Sequence, residues 1–74
     1  MVNKKVFLEE NEPYITLQAL LKITGIIETG GMAKFYLAES PVRVNGEEEN
    51  RRGRKLYPDD VIEVEGKMFV VSKR

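Results

Sequence analysis

The sequence predicts a small α+β domain in which two short helices pack on a mostly antiparallel sheet. Two segments in the first half of the chain carry apolar residues at helical spacing. Two dipeptides in the second half, Asn45-Gly46 and Gly66-Lys67, favour tight hairpin turns between antiparallel strands. Helices and strands do not alternate along the chain as they do in a doubly wound parallel sheet, so we expect the α+β class.

The composition limits both the size of the core and the chemistry available. The 74 residues form one domain, residues 1–74, without an internal repeat or linker. A chain of about this length buries only roughly 60% of its unfolded surface on folding. The sequence contains no cysteine and no histidine, which removes thiolate ligands, the commonest metal ligand and the commonest general base. We therefore expect no enzymatic activity, no metal site and no cofactor.

The beginning of the chain predicts a strand followed by a helix. A short apolar run favours a strand over residues 4–9, ended by the turn at residues 11–13. Thr16 can cap a helix, because its hydroxyl accepts a hydrogen bond from a first-turn amide. Gly25 can adopt the positive φ that often ends a helix. We expect the first helix over residues 17–24.

A second helix is expected over residues 32–39. Thr29, Gly30 or Gly31 would cap its start, and Pro41 would stop it. Small and apolar residues share one of its faces, which indicates that this helix packs against the first one.

Turn residues and alternation predict the later strands, over residues 42–44, 47–49, 61–65 and 68–72. We expect a type I′ turn at Asn45-Gly46, a type II′ turn at Gly66-Lys67 and a short, exposed strand between residues 47 and 49. Residues 58–60 are expected to form a turn rather than a metal site.

The expected core is made of side chains on the inner faces of these elements. Leu56 and Tyr57 re-enter it after a polar loop, Tyr36 is assigned to it, and Phe35 is left open between packing and stacking on a base. The other expected core residues are Val6, Leu8, Leu17, Leu20, Leu21, Ile26, Ala33, Leu37, Val42, Val44, Ile62, Val64 and Val70.

The charges are balanced in number but segregated along the chain. Twelve Lys and Arg offset twelve Asp and Glu, yet basic residues concentrate in residues 50–55, which we call the basic loop. Its members are Arg51, Arg52, Arg54 and Lys55. Arg43 alternates outward from two core valines and could either join the same basic patch or only make its strand soluble. Arginine forks suit phosphates and base edges, which favours a nucleic-acid partner. The alternative is a solvated loop that neutralises the glutamates at 47–49, through pairs worth about 0–1 kcal/mol each.

The glycine pair before the second helix is a further candidate for phosphate binding. Gly30-Gly31 would let a phosphate approach the backbone near a helix start, and Lys22 and Lys34 would flank the same turn. The alternatives are ordinary helix capping for the glycines and solvated helix faces for the lysines.

Several of these features, in this order, resemble the alpha-L RNA-binding motif of the ribosomal protein S4 family, and its small stand-alone bacterial members in particular. The matching residues are Leu17, Leu20, Leu21, Lys22, Gly25, Thr29, Gly30, Gly31, Ala33, Lys34, Val42, Val44, Asn45, Gly46, Arg51, Arg52, Asp60 and Ile62. Many family members carry an arginine and an acid where this chain has Thr16 and Gln18, a Ser-Arg pair at Thr29-Gly30, and a glycine at Asp59. Two customary phosphate-binding arginines are therefore missing.

The resemblance implies the fold and an RNA-binding face made by the two helices and the adjacent strand loop. We expect non-catalytic binding of structured RNA, with ribosomal RNA as the first candidate and transfer RNA as the second. We also expect contact with ribosomal particles and a role in ribosome assembly or translation. The chain is expected to be a cytoplasmic monomer without a membrane partner. A protein–protein adapter and a β-grasp, ubiquitin-like module without RNA binding are the alternatives. The expected RNA-binding residues are Lys22, Thr29, Gly30, Gly31, Lys34, Arg43, Arg51, Arg52, Arg54 and Lys55.

Overall fold

The computed structural model describes residues 3–73 of the chain. Within these residues, two helices and a 3-10 turn are combined with seven strands. The elements are β1 (Asn3–Leu8), β2 (Ile15–Thr16), α1 (Leu17–Ile23), the 3-10 turn (Gly30–Met32), α2 (Ala33–Glu39), β3 (Val42–Val44), β4 (Glu47–Glu49), β5 (Lys55–Leu56), β6 (Val61–Val64) and β7 (Lys67–Lys73).

Five strands form the main sheet in the order β1-β7-β6-β3-β4. β1 runs parallel to β7, and the other three pairings are antiparallel. β2 and β5 form a separate antiparallel pair, in which Ile15 lies opposite Leu56. The predicted α+β class with a mostly antiparallel sheet is confirmed. The small β2–β5 pair was not predicted.

The first helix begins at the predicted residue and ends one residue early. The Thr16 hydroxyl accepts a hydrogen bond from the Ala19 amide at 3.2 Å, which satisfies one of the first-turn donors. Thr24 is the C-cap, and Gly25 follows with a φ of 80°. The helix therefore ends one residue before the predicted boundary.

The second helix begins with a tighter turn than predicted. Thr29 is extended, and its side chain makes no capping hydrogen bond. The 3-10 turn then includes Met32, so the regular helix starts at Ala33. Ser40 leaves the helical conformation directly before Pro41, because proline disfavours a helical residue in front of it.

One hairpin turn is as predicted and the other is displaced by one residue. Asn45 and Gly46 have φ values of 53° and 87°, as a type I′ turn requires. The second turn was expected at Gly66-Lys67, but Val64 pairs with Lys67. The central residues are Glu65 and Gly66, both with positive φ, so this turn also has the type I′ pattern. Its twist suits the antiparallel strands on either side.

Most of the expected core is buried, and the exception in β7 follows from the register of that strand. Val70 was expected in the core but is half-buried, whereas Phe69 and Val71 are buried. Cross-strand partners share a face of the sheet, and Phe69 lies opposite the buried Ile62, so Val70 must face the other way.

Two further expectations about the core were wrong. Ile26 is only half-buried and the adjacent Ile27 is buried, because the chain leaving α1 turns its second isoleucine inward. Tyr57 keeps 48% of its surface exposed, since it precedes the turn at Pro58 and its ring packs on Tyr14 rather than in the core.

Candidate functional site

Backbone hydrogen bonds attach the basic loop to the start of α1. The Leu17 amide donates to the Arg54 carbonyl and the Gln18 amide donates to the Arg52 carbonyl, both at 2.9 Å. These bonds satisfy first-turn donors of α1 that would otherwise lack a partner within the helix. The basic loop is thus fixed to the helix through its main chain, which leaves its side chains available for other contacts.

Gln18 connects the basic loop to the glycine turn. A Cβ built on Gly30 would lie 2.5 Å from Gln18 Nε2, so glycine allows the side-chain amide to rest against the backbone here. Lys22 follows Gln18 by one helical turn and is exposed. Arg52, Gly30 and Lys22 therefore belong to one neighbourhood, and Gln18 lies at its centre. Gln18 was not predicted as a site residue, although its i, i+4 spacing from Lys22 was available.

Gly31 presents an open backbone next to this neighbourhood. Its φ lies outside the left-handed region, and a Cβ there would meet only the Thr29 hydroxyl, at 4.0 Å. Neither packing nor backbone conformation therefore demands glycine at this position. Lys34 is exposed in the first turn of α2. This geometry leaves room for a ligand to approach Gly31 closely.

Glu49 binds two arginines of the basic loop, which corrects the expectation that its strand is exposed. Its side chain is only 7% exposed, while Glu47 and Glu48 are exposed. Arg51 donates through Nε and Nη2 at 2.9 and 3.1 Å, and Arg54 donates through Nη1 at 2.7 Å. The Arg51 amide adds a fourth bond at 3.1 Å.

These charge-assisted hydrogen bonds stabilise the ionised carboxylate. They lower the pKa of Glu49 to about 2, with the bonds from Arg51 first and Arg54 second in importance. The same pair raises the pKa of Arg51 above its usual value. Arg51 is nevertheless 73% exposed, so its remaining N–H donors point to the surface.

The other basic residues differ in their surroundings. Arg52 is exposed. Lys55 Nζ lies 5.1 Å from the centre of the Tyr14 ring, within the range of a cation–π contact. Arg43 is exposed between the buried Val42 and Val44, on the opposite face of the sheet from the core. The structure therefore brings the basic loop, Lys22 and the glycine turn together but does not bring Arg43 to them.

The acidic turn near β6 has a structural role. Asp60 accepts hydrogen bonds from the Tyr57 amide at 2.8 Å and from Asn45 Nδ2 at 3.1 Å. These contacts join the turn to the first hairpin. In the part of the chain that the structure describes, no group of three or more potential ligand side chains is placed to hold a metal ion.

The aromatic residues of α2 lie on different surfaces. Phe35 is 73% exposed, so it is not part of the core. Tyr36 packs against the edge of the core, and its hydroxyl donates to Glu65. Burial, followed by this contact, raises the pKa of Tyr36 to about 12.

Comparison with known protein families matches residues 7–72 to the S4 domain. The chain belongs to the S4 domain family. This S4 domain is 58% identical over 52 residues to "Probable ribosome maturation protein RlbA" of Bacillus subtilis, a match that covers 70% of this chain and 73% of that protein.

A second relative is more distant. "Putative RNA-binding protein YbcJ" of Escherichia coli is 35% identical over 54 residues, which cover 73% of this S4 domain and 77% of the relative. No solved structure was found to match. No helix within residues 3–73 has both the length and the apolar character needed to cross a membrane.

Proposed function

We propose that this S4 domain binds structured RNA without catalysing a reaction, and that ribosomal RNA is its main target. The single observation that carries the proposal is the arrangement around Gln18, which places the basic loop beside the glycine turn and Lys22. We call this surface the Gln18 face. We further propose that the protein is a cytoplasmic monomer and that it acts on ribosomal particles during ribosome assembly or translation. The alternative structured target is transfer RNA.

The Gln18 face would bind phosphates in two ways. Arg52, Lys22 and Lys34 supply exposed positive charge, and each contact with a phosphate releases condensed counterions. Gly31 supplies an unobstructed backbone surface, so that a phosphate oxygen can come close to a main-chain amide. Thr29 and Gly30 shape this turn, and Lys55, with the outward donors of Arg51 and Arg54, extends the positive surface along the basic loop.

The relatives support the same function. One is named as a ribosome maturation protein and the other as an RNA-binding protein. Both matches cover about three quarters of the relative's length, so the comparison concerns most of each protein rather than a short motif.

Arg43 is expected to contribute least among the basic residues. It lies on the far face of the sheet, and Glu48 and Glu63 are its neighbours on the adjacent strands. Like Arg52, it is an exposed arginine, which makes Arg43→Ala a matched control for Arg52→Ala.

The test is a salt titration of binding to fragments of ribosomal RNA. We expect Arg52→Ala to weaken binding and to reduce the slope of log affinity against log salt by about 0.7–0.9 for the lost contact. Arg43→Ala should leave the slope unchanged. Arg52 is preferable to Arg51 as the target because removing Arg51 would also deprive Glu49 of hydrogen bonds.

Two outcomes would contradict the proposal. One is the absence of salt-dependent RNA binding by the unaltered protein. The other is an equal loss of slope in the two variants, since this would place the phosphates elsewhere than on the Gln18 face. Association with ribosomal particles that survives nuclease treatment would favour the adapter alternative.

A further inference from the structure

A pair of packed tyrosines lies directly beside the basic loop, and of the two Tyr57 is exposed while Tyr14 is half-buried. The rings of Tyr14 and Tyr57 are 5.7 Å apart between centres, with their planes at 50° to each other. Tyr57 keeps 48% of its surface exposed, and Lys55 stands over the Tyr14 ring. Neither the phosphate contacts of the Gln18 face nor the packing of the core accounts for an aromatic side chain left open here.

Hydrogen bonds on both sides hold the backbone of Tyr57. Its amide donates to Asp60 Oδ2 at 2.8 Å, and its carbonyl accepts from the Asp60 amide at 3.0 Å. Asn45 in turn donates to the same carboxylate. The ring is therefore mounted on a fixed turn, which lowers the entropy lost when a ligand binds to it.

Tyr57 forms one wall of a cleft of about 390 Å³. The other lining residues are Arg51, Gly53, Arg54 and Lys55. None of the five is acidic, and three are cations. A Cβ on Gly53 would meet nothing within 4 Å, so the cleft is open on that side. The volume falls within the roughly 300–1,000 Å³ of small-ligand sites.

This combination of groups selects for a particular ligand chemistry. A flat, uncharged ring system would stack on Tyr57, and a neighbouring anion would be attracted by Lys55 and Arg51. An unpaired nucleotide carries both features in one unit, a base with a π face and a phosphate. A paired base inside a duplex has its faces covered by its neighbours and cannot stack on the tyrosine.

We propose that Tyr57 stacks on an unpaired base of the bound RNA while Lys55 and Arg51 contact its phosphate. This inference rests on the proposed RNA binding and deepens it, because it requires a bulge, loop or end in the target rather than a continuous duplex. The cleft and the Gln18 face share the basic loop, so one RNA could occupy both.

The affinity test uses two RNAs that differ by one unpaired nucleotide. Stacking on an aromatic side chain changes affinity by about five- to 150-fold per base, so Tyr57→Leu should weaken binding of the bulged RNA by that factor. Tyr57→Phe, which keeps the ring, should bind within about twofold of the unaltered protein, because stacking needs no hydroxyl. Binding of the fully paired RNA should be the same for all three proteins.

A fluorescence test reports contact with the ring directly. The sequence contains no tryptophan, so Tyr57→Trp introduces a single reporter. We expect the bulged RNA to quench its emission, and an RNA with an abasic residue at the bulge to bind without this quenching. Circular dichroism checks that each variant is folded.

The results of these experiments distinguish a failure of base stacking from a failure of the proposed RNA binding. If the unaltered protein binds neither RNA, the proposed function fails. If it binds both and Tyr57→Leu has no selective effect on the bulged RNA, stacking is wrong while RNA binding stands. If Tyr57→Leu leaves RNA binding intact but removes a nuclease-resistant association with ribosomal particles, the cleft binds protein and the inference is overturned.

Discussion

Glu49 determines where two arginines of the basic loop are held. Because Arg51 and Arg54 both donate to its carboxylate, their guanidinium groups are ordered before any ligand arrives. A phosphate that reaches these arginines must share them with Glu49. The carboxylate therefore both shapes the basic loop and limits how much of its charge is available.

The stabilisation by Glu49 should depend on pH. A pKa lowered from 4.5 to about 2 on folding means that the stabilisation is complete above the unfolded value and disappears as the pH falls through about 2. We expect Glu49→Gln to reduce the free energy of unfolding at pH 7 by about 1–3 kcal/mol, because hydrogen bonds to a charged group are lost. The difference from the unaltered protein should shrink between pH 4.5 and pH 2.

Urea unfolding at pH 7 and near pH 2.5 measures this effect. Glu48→Gln is the control, because Glu48 is exposed one position earlier on the same strand and should be nearly neutral at both pH values. A penalty for Glu49→Gln that does not change with pH would show that the ion pair is not its source.

At Gly31, a single substitution should change folding stability and RNA affinity in opposite directions. The structure has space for a methyl group there, and alanine restricts the unfolded chain, so Gly31→Ala should raise stability by up to about 1 kcal/mol. If a phosphate approaches the backbone here, the same methyl should weaken RNA binding by about three- to tenfold, the equivalent of one hydrogen bond.

Gly25→Ala is the control, because we expect it to lower stability without changing RNA affinity. Gly25 has a φ of 80°, where a side chain costs roughly 1–2 kcal/mol, so this variant should lose stability and keep its affinity per folded molecule. Thermal unfolding and RNA titration of both variants give the comparison. Unchanged affinity in Gly31→Ala would make the glycine turn a structural feature only.

At the scale of whole elements, α1 has an interior and an exterior face. Leu21 is fully buried, and we expect Leu21→Ala to cost about 2–5 kcal/mol through lost burial and the cavity that remains. Ile23, on the same helix, is 62% exposed, so Ile23→Ala should change stability by no more than about 0.5 kcal/mol. Denaturant unfolding that gave similar costs for both would mean that α1 does not pack as described.

The elements with local chemical signatures could be predicted from the sequence. Thr16 and Gly25 mark the limits of α1, and Asn45-Gly46 fixes the first hairpin to the residue. The β2–β5 pair could not be predicted, because two residues per strand are too few to show a period. The second hairpin was misplaced because a glycine suits either position of a two-residue turn, and only the register distinguishes them.

The candidate site was only partly predictable for a related reason. The first hairpin places Glu49 opposite the buried Val42, so its inward direction follows from the turn. The same rule would also bury Glu47, opposite Val44, yet Glu47 is exposed. Burial of Glu49 depends on Arg51 and Arg54 folding back onto it. Pairing of the basic loop with the glutamates at 47–49 was the alternative that the sequence offered, but the run of charges does not show which glutamate is paired and buried.

On the scale of the whole molecule, the net charge is zero but the positive and negative side chains are unevenly distributed over the surface. Arg51 and Arg54 are paired with Glu49, while Arg52 and Lys22 remain exposed around Gln18. Arg43 was expected to point outward between two core valines, either joining the basic patch or only making the strand soluble. In the structure it lies on the side of the sheet away from the core. Alternation along the strand predicted that Arg43 points outward, but it could not show on which side of the sheet the basic loop would lie.

The position of β7 in the sheet has a consequence for how the protein is made. β7 lies between β1 and β6, although it comes last in sequence among the strands of residues 3–73. Until residues 67–73 have emerged, β1 lacks the neighbour that it contacts in the finished sheet, and β6 has an open edge. The nascent chain can form its helices and first hairpin early, but the five-stranded sheet can close only after β7 has emerged. Folding of the sheet should therefore follow translation of β7 rather than accompany the emergence of the strands before it.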